Sequence, residues 1–233
     1  MDRARLKRFS ANLTVILFWG TVWGIFEATV GYLIHAVSFP YGFLVWYPAS
    51  CFFMANVYRK THSALSVLFV GLFSGSMKLL NLLLPGRIDK VINPAISIVF
   101  EAMAFALAVF VVNRYFAKIK GQWYWQAVIV LCVNTGWRML YCLYLLLLVP
   151  DWMRDVSVIS SSEKLIPFMV TQNALTSLLV FAGLLLKQYV FGPVRFMEEK
   201  LGTLSVSQKW RPVVTVFVLV CLVAANAVLE LVL

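Results

Sequence analysis

Charge is scarce in this sequence, and its scarcity excludes an ordinary soluble domain. Only 13% of the 233 residues are charged, whereas 62% are hydrophobic. A soluble domain of this size needs more polar surface to stay dispersed. Several apolar stretches reach the ~20 residues that a helix needs to cross a ~30 Å hydrocarbon layer. The composition therefore predicts an all-α fold, a polytopic integral membrane helical bundle.

Residues that hold metals or perform nucleophilic chemistry are also few. There are 4 cysteines and 2 histidines, with no CxxC pair and no histidine cluster. Isolated cysteines in apolar stretches are typical of small buried side chains rather than disulfides or metal ligands. The GxSxG and HExxH motifs and clustered aspartates are missing as well. The sequence predicts no metal, no cofactor and no catalytic residue.

Turn and charge signals divide the chain into about seven predicted transmembrane helices. A single transmembrane domain covers residues 1–233, with a basic N-terminal segment, a six-helix core, a cytoplasmic loop and a seventh helix at the C-terminus. These parts are 1–11, 12–190, 191–211 and 212–233. The core spans are approximately 12–37, 41–58, 63–84, 91–113, 123–149 and 165–187. Pro193 can begin a short interfacial helix within the loop, and an ordinary solvated loop is an equal alternative.

The distribution of positive charge predicts the orientation. Most of the 20 lysines and arginines fall in the N-terminal segment and in alternate loops, which places those parts in the cytoplasm. The N-terminus is then cytoplasmic, and the chain is a multi-pass protein of the cell membrane. The net charge of +10 faces anionic lipid of the bilayer, so it does not require nucleic acid as a partner.

Four charged residues nevertheless stand out well inside the predicted spans. They are two acids and two bases, Glu27, Lys78, Glu101 and Arg138. Such groups are costly at membrane depth and usually face a partner or a watery cavity. Helical spacing places Asn81, Asn93 and Asn134 on the same faces as three of them, and Gln172 on the sixth span lies at a similar depth. These eight residues are the candidate ligand-binding set.

Depth strengthens this interpretation. Counted at about 1.5 Å per residue, Lys78 lies roughly 9 Å and Arg138 roughly 16 Å below the outer ends of their spans, and Glu27, Glu101 and Gln172 fall between. Polar residues from separate helices thus share one level in the outer half of the membrane. Interhelical hydrogen bonds and ion pairs that only hold the bundle together remain an alternative.

The first predicted helix carries a face of small residues. Gly20, Gly24, Ala28 and Gly31 lie within one sector of the helix, with Glu27 at its edge. Small residues at this spacing let another helix approach the backbone closely, so the face predicts helix packing.

The leading hypothesis is a membrane protein that captures a small polar or zwitterionic molecule from the outer side in an intramembrane pocket. The two acids would hold cationic or N–H groups, and the two bases would hold carboxylate or phosphate. An ion- or proton-coupled secondary transporter is the alternative, with Glu27 or Glu101 as the protonating group. A structural or assembly subunit and an intramembrane enzyme are further alternatives.

In its architecture the chain resembles the substrate-binding S-components of energy-coupling-factor vitamin transporters. Members of that family are small, basic and entirely membrane-embedded, with an outward pocket, and the resemblance covers roughly residues 1–190. Their first helix packs a small-residue stripe against the transmembrane coupling subunit, and the face of Gly20, Gly24 and Ala28 is similar to it. The resemblance implies a coupling subunit and ATPases as partners. Typical members have six helices, so the seventh predicted span departs from the pattern.

Overall fold

The computed structural model describes residues 3–36, 39–83, 88–118 and 121–203, and these are helical with short connections. Five long helices make up the first part of the chain. They are α1 (Arg3–Ala36), α2 (Phe43–Thr61), α3 (Ala64–Leu79), α4 (Asp89–Tyr115) and α5 (Trp123–Leu147). A turn of 3₁₀ helix, Leu80–Leu83, extends α3. No strand occurs within the described ranges, as the predicted all-α class requires.

The rest of the described chain is helical but less regular. The short helix α6 (Asp151–Arg154) is followed by α7 (Ser162–Ile166), a π-helical turn (Pro167–Thr171) and α8 (Gln172–Leu185). The last three run without a break, so Ser162–Leu185 forms one segment of 24 residues. Helix α9 (Lys187–Thr203) begins before Pro193 and covers the first part of the predicted cytoplasmic loop 191–211.

Four helices are long and apolar enough to cross a membrane. They are Phe9–Glu27 within α1, Asp89–Tyr115, Trp123–Leu147 and Ser162–Leu185. Helices α2 and α3 coincide with the second and third predicted spans, but α2 is not among these four and α3 has only 16 residues. The seventh predicted span, 212–233, lies outside the described residues.

The surface of the bundle is rich in large apolar side chains. Leu147 and Leu148 are 75% and 76% exposed, and Leu107 and Leu178 are also exposed. A soluble monomer rarely presents so much contiguous apolar surface. A hydrocarbon surround removes this cost, so the exposure agrees with helices that span a membrane.

The reversal between α2 and α3 follows from local backbone chemistry. His62 adopts the left-handed conformation (φ 50°), and its N–H donates to the Tyr58 carbonyl at 2.8 Å, which closes α2. Ser63 then caps α3, because its hydroxyl accepts the Ser66 N–H at 3.3 Å. The two helices therefore meet in a tight hairpin.

Helix α3 packs closely against α4 on one side and α1 on the other. A Cβ atom at Gly71 would overlap the Cβ of Ala102, and one at Gly75 would lie 3.0 Å from the Ala95 carbonyl oxygen. Contacts this close need glycine on one of the two helices. They set the position of α4, which carries two of the candidate site residues.

Candidate functional site

A buried polar seam joins α5 to α8, and Asn134 is at its centre. The Asn134 amide nitrogen lies within hydrogen-bonding distance of the Asn173 carbonyl (3.0 Å), the Thr176 hydroxyl (2.7 Å) and the Ser177 hydroxyl (2.9 Å). Its Oδ1 accepts from Trp137 Nε1 at 2.8 Å. The residue is fully buried. Its amide is therefore saturated by the protein itself.

Arg138 belongs to the same seam. Its Nε donates to Asn134 Oδ1 at 3.2 Å, and its Nη1 donates to the Phe168 carbonyl at 2.7 Å. Its Nη2 lies 3.5 Å from the Thr176 hydroxyl. The guanidinium carbon is 4.8 Å from the Trp137 ring centroid and 4.4 Å from that of Phe168. All three guanidinium nitrogens have partners, and the residue is 1% exposed.

The π-helical turn lies at the contact with this guanidinium. A π turn shifts the regular i→i−4 hydrogen-bond ladder, and such turns are frequent at functional sites. Phe168 lies in this turn and supplies the carbonyl that Arg138 binds. The turn, the guanidinium and the two aromatic rings thus form one packed unit.

Glu101 on α4 has a different environment. The side chain is 5% exposed, and its Oε2 is buried without a hydrogen-bond partner among the described residues. The hydroxyl of Ser50 lies in hydrogen-bonding range of the carboxylate, although it also donates to the Trp46 carbonyl at 3.1 Å. One half of this carboxylate therefore lacks a donor.

A second unpartnered polar atom lies on the same helix. Asn93 is half-buried, and its Oδ1 is buried without a partner among the described residues. Leaving a buried polar atom without a hydrogen bond costs about 1–3 kcal/mol. Helix α4 therefore carries two buried acceptors that the described residues leave without a donor.

Glu27 on α1 is half-buried and accepts a hydrogen bond from Trp23 Nε1 at 3.3 Å. Lys78, near the end of α3, lies within electrostatic range of it. Glu101 in turn lies within electrostatic range of both Glu27 and Arg138. The four charges expected from the sequence thus form a chain of electrostatic neighbours in the order Lys78, Glu27, Glu101 and Arg138.

These neighbours do not form direct ion pairs with one another. Arg154 and Asp151 do form an ion pair, 3.2 Å apart and away from the cluster. The charged groups of the cluster therefore interact at longer range than a salt bridge.

The other candidate residues are placed as follows. Gln172 begins α8 and is half-buried, and its carbonyl accepts the Thr176 hydroxyl at 2.6 Å. Asn81 lies in the 3₁₀ turn, and its side chain is outside the described set. Ala28 and Gly31 lie within α1, and the surroundings of their side-chain positions are also outside the described set.

Gly20 and Gly24 face α3 of the same chain. A Cβ atom at Gly20 would lie 2.5 Å from a ring carbon of Phe73, and one at Gly24 would lie 3.1 Å from the Met77 side chain. The Ser74 hydroxyl also donates to the Gly20 carbonyl at 3.0 Å. This part of the small-residue face therefore packs against α3 of the same chain.

Several residues of the cluster were not expected from the sequence. On α2, Tyr47 and Cys51 flank Ser50, and all three are buried. Tyr47 stacks on Trp137 with ring centroids 5.8 Å apart. Their i, i+3, i+4 spacing on one helical face is a signal that the sequence does contain. The Phe168 carbonyl carries no such signal, because only the backbone conformation exposes it.

A groove of about 570 Å³ lies apart from this cluster, between α4 and α5. Its walls are apolar side chains, among them Leu107, Met139 and Leu143, all of which are exposed. The groove offers hydrocarbon contact and no charged group, so it does not suit a polar ligand.

Comparison with protein-family models, curated proteins and solved structures finds no match to this chain. The functional argument therefore rests on the geometry of the cluster.

Proposed function

We propose that this protein is a multi-pass solute-binding component of a membrane transport system. It captures a small polar or zwitterionic molecule from the outer side of the cell membrane in a pocket among its helices. The proposal includes seven spans with the N-terminus in the cytoplasm, because loops rich in lysine and arginine remain on that side.

The observation that carries the proposal is the state of Glu101. A carboxylate that is 5% exposed keeps one oxygen without a donor, while charges of both signs lie nearby on α1 and α5. If Glu101 only held the helices together, both of its carboxylate oxygens would be expected to have hydrogen-bond donors, as the polar groups of the seam around Asn134 have partners. A ligand that arrives with a donor restores the missing hydrogen bond and gains affinity from it.

A secondary transporter driven by protons is the second candidate, and the same carboxylate favours it. Glu101 lies within electrostatic range of Glu27, so the charge on one acid affects the other. Buried acids of this kind serve as proton carriers in transporters. In that case, purified protein in sealed vesicles dissipates a pH gradient when its solute is added, and a Glu101→Gln variant does not.

The test of solute binding is thermal unfolding of purified protein, followed by tryptophan fluorescence. A panel of vitamins, amino acids and nitrogen heterocycles is screened on the wild type and on Glu101→Gln. The expected result is a rise of several degrees in melting temperature with at least one compound, lost in Glu101→Gln and kept in Glu163→Gln. Glu163 is an exposed acid on α7 and serves as the matched control. Equal stabilisation of all three proteins by the active compound would remove Glu101 from the site.

Partner ATPases and a transmembrane coupling subunit remain part of the proposal. Because α3 covers Gly20 and Gly24, the coupling subunit would bind another apolar surface of the bundle. Gentle purification from the native membrane tests this directly. Co-purification of an ATPase supports a coupled system, whereas a protein that transports alone in vesicles supports the second candidate.

A further inference from the structure

We propose that the ligand is an organic cation with nitrogen donors at two ends, of the diamine class, bound along α4 between Glu101 and Asn93. This deepens the proposed function, on which it rests, by naming the chemical class of the solute. It also departs from the expectation of a zwitterion held equally by acids and bases.

The first step is to separate the buried groups that already have hydrogen-bond partners from those that lack them. Each guanidinium nitrogen of Arg138 already has an acceptor within the protein, and two aromatic rings cover the group. The group is 1% exposed, so a carboxylate or phosphate would have to displace the surrounding side chains to reach it. Among the described residues of α4, the buried polar atoms that lack a hydrogen-bond partner are oxygens, Oε2 of Glu101 and Oδ1 of Asn93. The site therefore needs hydrogen-bond donors, and a ligand that offers only acceptors gains little.

The second step is the local charge. Glu101 lies within electrostatic range of one acid, Glu27, and one base, Arg138. Because these neighbours have opposite signs, their effects on a bound ligand oppose each other, and Glu101 decides which ligand charge is favoured. An ammonium group neutralises Glu101, whereas a carboxylate adds a second negative charge to a buried site.

The third step is the separation of the two oxygens. Asn93 and Glu101 are at positions i and i+8 of α4, about 12 Å apart along the helix axis and about 80° apart around it. They share one face, so a single extended molecule can reach both. A small inorganic cation cannot, because its ligands must all lie within about 2–3 Å of it.

The fourth step is the wall of the site. Tyr47 is 3% exposed, lies within electrostatic range of Glu101 and stacks on Trp137. Aromatic rings beside a carboxylate form a favourable environment for organic ammonium groups.

The experiment uses the full-length protein in detergent and three probes with the same five-carbon chain. Cadaverine carries an amine at each end, pentanediol a hydroxyl at each end and glutarate a carboxylate at each end. Cadaverine is expected to raise the melting temperature by several degrees, while glutarate and pentanediol leave it unchanged. Its dissociation constant should rise at least tenfold in Glu101→Gln and stay the same in Glu163→Gln. In Asn93→Leu, the preference for cadaverine over pentylamine, which has a single amine, should fall.

Stabilisation by glutarate equal to that by cadaverine, or binding of cadaverine that survives in Glu101→Gln, overturns the inference. The comparison of the three probes on the unmodified protein decides the matter even if Glu101→Gln does not fold. Right-side-out vesicles then separate the two proposals. If cadaverine binds in detergent but not from outside these vesicles, the function fails and the ligand class stands. If an anionic solute binds from outside in place of cadaverine, the ligand class fails and the function stands.

Discussion

Two polar regions lie inside this bundle, and they are built differently. In the seam between α5 and α8, Asn134 and Arg138 direct their polar atoms at partners within the protein. On the face of α4, Glu101 and Asn93 each keep a buried oxygen without a partner. Both regions are polar residues in apolar helices, so the sequence alone does not distinguish them. Hydrogen-bond saturation does.

The difference assigns separate roles to the two regions. A saturated network fixes two helices relative to each other and gains little from a ligand. An unsaturated face costs free energy in the empty protein, and that cost is recovered when a donor arrives. Under the proposed function, the seam is the scaffold and the α4 face is the place where a ligand gains binding energy.

The largest effect is expected where the seam is most connected. Asn134→Leu leaves the N–H groups of Trp137 and Arg138 without their acceptor and deprives three groups on α8 of their partner. We expect a loss of about 3–5 kcal/mol in unfolding free energy, the range for breaking a buried charged network. Equilibrium unfolding in mixed detergent measures it.

Asn113→Leu is the matched control. Asn113 is exposed near the end of α4, and its amide donates to the Tyr58 hydroxyl at 2.6 Å. Its loss should cost less than about 1 kcal/mol. Equal destabilisation by the two variants would mean that the seam does not have the structural role given to it here.

Arg138→Met should come next, at about 3 kcal/mol. The change removes three donors and leaves the Phe168 carbonyl and the Asn134 oxygen without a charged partner. It should lower the melting temperature by several degrees with or without cadaverine. Arg114→Met, at an exposed arginine near the end of α4, should stay within about 0.5 kcal/mol of the wild type. A stable Arg138→Met protein that only loses ligand binding would instead place the guanidinium in the ligand site.

Substitutions at the close crossing of α3 and α4 test whether α4 is held firmly. A loosely placed α4 could move its unpartnered oxygens to other partners. A methyl group at Gly71 overlaps Ala102, the neighbour of Glu101, so Gly71→Ala must push the two helices apart. We expect a loss of about 1–3 kcal/mol, typical of overpacking. Gly183→Ala on α8 meets nothing within 4 Å and should be neutral or stabilising by up to about 1 kcal/mol. If Gly71→Ala is as harmless as Gly183→Ala, α4 is not held firmly and its oxygens can move to other partners.

Much of the fold follows from simple properties of the sequence. Hydropathy alone locates the helices α4 and α5, because a long apolar run has few other stable conformations in a membrane. The glycine spacing in the first predicted span also indicates a close helix contact, and Gly20 and Gly24 do pack closely against α3.

The inner arrangement of polar groups is harder to read. Spacing identified Glu101 and Arg138 as buried charges, but it could not show which of them is already satisfied. That depends on the π turn, which presents the Phe168 carbonyl to Arg138, and on the rotation of α2, which brings Ser50 rather than a stronger donor to Glu101. Both are tertiary properties, determined by packing between distant segments.

The smallest effect, and the one with the opposite sign, is expected at Glu101 itself. Without ligand, Glu101→Gln replaces a buried charge by a neutral amide of the same shape, and no hydrogen bond to Oε2 is lost because none is present. The unfolding free energy should therefore rise by up to about 1 kcal/mol, since the desolvation cost of the charge exceeds the longer-range attraction of Arg138. The same detergent unfolding assay measures it, with Glu163→Gln expected within about 0.5 kcal/mol of the wild type. A loss as large as that of Asn134→Leu would place Glu101 in the scaffold, because only a carboxylate that the fold already uses is costly to neutralise.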